Sequence, residues 1–149
     1  MNIAIGGSRS LPPGQAPRLL VRFLAALPAD TVVLLRRGAK TASGRFELDT
    51  ARLCAILGVG VEFCQPELPG GRKATFFRDI EMVSRSDLVI VFLQPDEVMS
   101  ETSGTSHLIE KALDQHVPAY AYEVAADGAV RRVGEWDEKE TWAELVPVP

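Results

Sequence analysis

The chain has 149 residues, 46% of them hydrophobic and 24% charged, which suits one globular domain with a sizeable core. Sixteen Lys and Arg against twenty Asp and Glu leave a net charge of −4 and a pI near 5.2; that excludes a nucleic-acid binder relying on a broad basic surface, while a locally basic cleft stays open. No run reaches the roughly 18 apolar residues of a membrane span, and the N-terminus has no basic stretch leading into a long apolar one, so the expected location is the cytoplasm.

In chain order, residues 2–6 form a short apolar strand (Ile3, Ala4, Ile5) that breaks at Gly6-Gly7. Pro17 suits the first turn of a helix running to about Leu27. Residues 31–35 (Thr-Val-Val-Leu-Leu) read as a second strand, and Phe46 to Leu57 as a helix stopped by Gly58. Residues 59–64 form a third strand. The spacing of Phe76, Ile80 and Val83 predicts a helix over about 72–86 with that stripe on the sheet. A fourth strand covers 87–93, and a fourth helix, about Gly104 to His116, buries Leu108, Ile109, Ala112 and Leu113. Residues 117–124 make a fifth strand.

Most of these strands are continuous apolar runs, as expected when both faces are covered. Strand alternating with helix therefore predicts an α/β fold: a Rossmann-like three-layer sandwich around a mostly parallel sheet of about five strands. Beyond it, Tyr120–Val124 and Ala129–Val133 flank Asp127-Gly128, a turn tolerant of positive φ, and read as a β-hairpin at the sheet edge. Trp136 and Trp142 lie past that hairpin and are expected to pack a short C-terminal segment onto the body. Cys54 in a helical pattern and Cys64 ending a strand read as small buried hydrophobes rather than a disulfide or redox pair.

In an open α/β sheet, ligands bind at the carboxyl ends of the strands. Three loops leave those ends with suitable residues. In Gly6-Gly7-Ser8-Arg9 the glycines let a phosphate approach the backbone, Ser8 donates a hydrogen bond and Arg9 can fork onto an oxyanion. Arg36-Arg37-Gly38-Ala39-Lys40 gathers three cations around a glycine directly after the second strand. Ser103-Gly104-Thr105 opens the fourth helix, whose unpaired amides and positive dipole favour an anion. Any one of these loops is also a plain turn, and Ser103 is also an ordinary N-cap; their shared edge is what points to a pocket.

On the third helix, Arg78, Glu81, Met82 and Arg85 share a second stripe, where an exposed methionine beside an ion pair is the bland alternative to a binding surface. His107 and His116 have no partners at metal-ligand spacing, so no metal is expected, and no cofactor is assigned. Asp96, Glu97 and Glu101 form a small acidic group that fits a solvated loop better than a ribose or cation site. Ser8, Ser103 and Thr105 have no evident general base, so nucleophilic catalysis is not expected.

Residues 2 to about 122 resemble the SLOG superfamily of Rossmann-like nucleotide-binding domains, which includes the DNA-processing protein A domain and the Lonely Guy phosphoribohydrolases. The resemblance rests on Ile3-Ala4-Ile5-Gly6-Gly7-Ser8-Arg9, Gly38-Ala39, Arg78-Asp79-Ile80-Glu81-Met82-Val83, the run Ser86 to Phe92, and Ser103-Gly104-Thr105. It implies a nucleotide or nucleotide-derived ligand held by Gly6, Gly7, Ser8, Arg9, Gly38, Ala39, Arg78, Met82, Ser103, Gly104 and Thr105. It also implies pairing into a homodimer or higher oligomer through helices. The catalytic acid of the phosphoribohydrolase pattern is missing: Ser106 and His107 stand where a glutamate is expected, and the deoxyribosyltransferase position is Leu108. The first expectation is accordingly a binding or sensing module without chemistry of its own. The alternative is an N-glycosidic hydrolase or transferase on a nucleoside monophosphate, with Glu81 or Glu101 as its carboxylate. Binding of nucleic acid is disfavoured by the acidic balance.

Overall fold

The computed structural model describes residues 1–7, 15–36, 45–65, 72–94, 104–125, 127 and 129–139. Ten elements follow one another there: β1 (Asn2–Gly7), α1 (Gln15–Ala25), β2 (Val32–Arg36), α2 (Arg45–Leu57), β3 (Gly60–Cys64), α3 (Arg72–Ser84), β4 (Leu88–Leu93), α4 (Gly104–Asp114), β5 (Ala119–Val124) and β6 (Val130–Trp136). The strands make one sheet in the order β3-β2-β1-β4-β5-β6. The first five run parallel, and β6 returns antiparallel along β5. The expected α/β fold, a Rossmann-like sandwich with a C-terminal hairpin, is the fold observed.

Alternation along each strand sorts side chains between two cores. Ile3, Ile5, Val33, Leu35, Ile90 and Phe92 face α1 and α2, meeting Leu20, Phe23, Leu24, Phe46 and Leu53. Ala4, Leu34, Val89, Val91, Ala119 and Ala121 face α3 and α4, meeting Met82, Val83, Leu108, Ile109 and Ala112. All six positions of β4 are buried, as a central parallel strand requires. The helices of each layer pack on each other, α1 on α2 and α3 on α4. At the amino edge, the Asn2 amide donates to the Asp87 carboxylate (2.8 Å) and its side chain donates to the Arg85 carbonyl (2.9 Å), tying β1 to the turn before β4.

Two helices end in the same motif. After α2 the Val59 amide reaches the Cys54 carbonyl (2.9 Å) around Gly58 at φ 75°, so the sequence's stop signal acts as expected. After α4 the Val117 amide reaches the Ala112 carbonyl (2.9 Å) around His116 at φ 57°, a left-handed conformation that glycine adopts more cheaply.

Four expectations need correction. The stripe of α3 that meets the sheet is Arg78, Asp79, Met82, Val83 and, beyond the helix, Ser86, all buried, while Phe76 is 38% exposed and Ile80 half-buried. A polar pair has displaced the aromatic from the interior because it finds partners there, described below. Met82 is therefore a core residue and not an exposed one. Leu113 on α4 is 44% exposed, turned away from Leu108, Ile109 and Ala112. Trp136 lies inside β6, its indole covering Gly134, where any Cβ would collide with the ring; Trp142 lies outside the described residues.

A Cβ at Gly58 meets nothing within 4 Å, so Gly58→Ala isolates the backbone cost and is expected to destabilise by about 1 kcal/mol. His116 is exposed, and His116→Gly should stabilise by up to about 1 kcal/mol. Urea midpoints at unchanged m-value measure both, and shifts of the same sign in the two variants would overturn this reading.

Candidate functional site

The connections through α1 and α2 lie on one face of the sheet and those through α3 and α4 on the other, so the direction of winding reverses between β1 and β4. At such a point the carboxyl ends of two adjacent strands leave a crevice that no crossover covers. The register puts Gly6 opposite Val91 and Gly7 opposite Phe92 at that point. Both glycines permit close approaches. A Cβ at Gly6 would sit 2.7 Å from Leu108 Cδ1 and 3.2 Å from the Arg36 guanidinium. One at Gly7 would run into the Phe46 ring, which packs tilted on Phe92 with centroids 5.8 Å apart.

Arg36 is the last residue of β2 and half-buried, and its guanidinium leans over the bare backbone of Gly6. Leu108, one helical turn after Gly104, holds the first turn of α4 against the same glycine. Thr105 is 4% exposed in that turn. The structure thus gathers a glycine backbone, a guanidinium and a helix N-terminus at the switch between β1 and β4. Of the residues expected to hold a ligand, Gly6 and Gly7 end β1 and Gly104 and Thr105 open α4; Ser8, Arg9, Gly38, Ala39 and Ser103 lie outside the described residues, as do Asp96, Glu97 and Glu101.

Arg78 and Met82 belong to a neighbouring feature. Between α3 and the end of β3 opens a cleft of about 130 Å3 lined by Phe63, Cys64, Gln65, Arg78, Glu81, Met82 and Arg85. Met82 is fully buried and forms part of the cleft's wall. Arg85 pairs with Glu62 of β3 at 2.6 Å, both partly exposed, and that hydrogen-bonded carboxylate raises the arginine's pKa. Burial pushes the Cys64 thiol up, with Arg85 opposing it.

Arg78, Asp79 and His107 form a buried chain between α3 and α4 that motif reading did not find. Arg78 Nε donates to Asp79 Oδ1 and His107 Nδ1 lies on Asp79 Oδ2, each at 2.9 Å. A carboxylate only accepts, so Nδ1 carries the hydrogen and the ring orientation is set. The ring packs on Phe76, centroids 4.6 Å apart. The signal for this chain was in the spacing: Asp79 precedes Val83 by four and Ser86 by seven, a polar residue on the stripe that the helix buries. Among the described residues no three His, Cys, Asp or Glu side chains cluster as metal ligands, and no helix is long and apolar enough to cross a membrane.

No protein-family model matches the chain, and no curated protein matches it.

Asp79→Ala leaves Arg78 and His107 buried without their common acceptor, and a loss of about 3 kcal/mol is expected from chemical denaturation; a loss under about 1 kcal/mol would show that the pairing is dispensable. Burial also pushes the Cys54 thiol up to about 11. Its neutral form therefore favours the fold below its ordinary value of 9.0, and that contribution is lost as pH rises from there towards 11. At pH 8 about one thiol in a thousand is ionised. A thiol reagent is thus expected to label Cys54 at the rate of unfolding, and fast stoichiometric labelling of the native protein would contradict this.

Proposed function

We propose that the protein binds a nucleotide or nucleotide-derived small molecule at the carboxyl ends of its parallel strands and carries out no chemistry on it. The observation that carries this reading is the Arg36 guanidinium beside the bare backbone of Gly6, at the point where β1 and β4 diverge into crossovers on opposite faces. A phosphate needs a backbone it can approach, a cation and unpaired amides. Gly6, Arg36 and the opening turn of α4 offer one each.

The acids beside the start of α4 favour binding over N-glycosidic cleavage there, and Glu81, the described carboxylate of the alternative, lies instead at the cleft between β3 and α3. Cleavage needs a carboxylate free to meet the developing positive charge at the sugar. Asp79 is the buried carboxylate beside α4, and both its oxygens are engaged, by Arg78 and His107. His107 and Leu108 occupy the positions after Thr105 where related enzymes carry acid.

A ligand present at 100 times its Kd stabilises a fold by about 2.7 kcal/mol, which for a domain of this size raises the melting temperature by roughly 5–10 °C. A panel of nucleoside mono- and diphosphates and cyclic nucleotides is expected to contain at least one such stabiliser, with no free base released on incubation. Arg36 is half-buried at a strand end, so Arg36→Gln should weaken that ligand about tenfold, as loss of a charge-assisted contact does. A panel without any shift, or affinity indifferent to Arg36→Gln, would sink the assignment of this edge.

A further inference from the structure

The cleft between β3 and α3 differs in chemistry from the switch point, and the difference bears on the ligand. Its volume of about 130 Å3 is well below the roughly 300–1,000 Å3 of a pocket for a whole small molecule. A space of that size admits no more than one ring system. Met82 and Cys64 give it an apolar wall. Its charges come in opposed kinds: Arg78 stands three residues before Glu81 on α3, and Arg85 four after it, just past the helix end. Arg78 is engaged with Asp79 and Arg85 with Glu62, while Glu81 is exposed at the rim and acts on Arg85 through its charge. A phosphate gains nothing from a cleft that carries its own carboxylate. A neutral ring presenting adjacent donors to the acid and adjacent acceptors to the arginines fits it.

The cleft is also at the right place. Cys64, which lines it, is in register with Arg36 on β2, and the Arg36 guanidinium reaches Gly6 on β1. The cleft thus lies two strands from the switch point, about 10 Å away, with Arg36 between. A nucleotide with its phosphate at Gly6 and its ribose over Arg36 would carry its base to the cleft.

Resting on the nucleotide reading above, we propose that the β3–α3 cleft is the base subsite and that it selects guanine. Guanine alone among the bases offers two neighbouring donors, N1–H and the exocyclic amine, to one carboxylate. Its O6 and N7 form the paired acceptors that an arginine fork takes. Glu81 receives the first edge and Arg78 or Arg85 donates to the second. Adenine, which alternates donor and acceptor, is matched by an amide; Gln65 at the rim is the residue it would use.

Calorimetric titration with guanosine, inosine and adenosine 5′-monophosphates tests this. Guanosine monophosphate is expected to bind about tenfold tighter than adenosine monophosphate, a good bidentate pair being the source of the difference. Inosine monophosphate, lacking the exocyclic amine, should fall between them. Glu81→Gln should bring the guanine-to-adenine ratio to about one. Because Glu81 is exposed, the free variant should melt within about 2 °C of the parent. Adenosine monophosphate binding as tightly as guanosine monophosphate would overturn the base assignment alone, as would a guanine preference that survives Glu81→Gln. No binding by any nucleotide would overturn the nucleotide reading and the base assignment with it.

Discussion

A parallel sheet covered on both faces leaves a ligand only its edges, and the rest of this structure depends on how the carboxyl edge is kept open. Helices on opposite faces draw apart between β1 and β4, and the residues at that gap are Gly6 and Gly7. Their missing side chains serve packing first: Leu108 and Phe46 occupy the space that each Cβ would take. That close approach brings the N-terminus of α4 down onto the strand ends. It also lets the Arg36 guanidinium lie over backbone rather than over a side chain. Both close approaches come from the same two glycines, because a residue without a side chain admits a helix or a ring against its backbone.

The buried chain of Arg78, Asp79 and His107 is the second constraint. Removing a carboxylate from water costs several kcal/mol, and here two hydrogen bonds offset that cost, one to each oxygen. Such a pairing has one favourable geometry, unlike the aliphatic contacts of Val83, Leu108 and Ala112 around it, which tolerate small slides. It therefore fixes the first turn of α4 relative to α3, and with it the helix end that faces the switch point. The cost to the helix surface is visible in Phe76, pushed to the rim where it covers the histidine ring.

Much of this was legible along the chain. Apolar runs of three residues in β1, four in β2 and six in β4 fit strands buried on both sides, and Gly58 after Leu57 ends a helix by a local rule. Helical periodicity placed α3 within two residues at either end. It misplaced the buried stripe, because Phe76-Ile80-Val83 and Asp79-Met82-Val83 both satisfy a 3.6-residue repeat, and hydrophobicity favours the first. Only the partners on α4 decide for the second. Leu113 shows the same ambiguity: apolar, well spaced, and still outside, since the sheet beneath α4 is satisfied by Leu108, Ile109 and Ala112.

By itself the sequence determined the fold class, the order of the elements and the glycines at the end of β1, since propensity, periodicity and turn chemistry act between residues near in the chain. It also determined that the carboxyl edge would gather glycine, arginine and a helix start. Only the tertiary structure decided that Arg36 reaches across to Gly6, that Asp79 is the shared acceptor of two basic side chains, and that Glu81 stands at the mouth of a cleft closed by β3. Those relations join residues on different elements, such as Asp79 and His107, 28 positions apart, or turn on which of two stripes a helix buries. Both are settled by packing against other elements and by the cost of leaving a buried polar group unpaired.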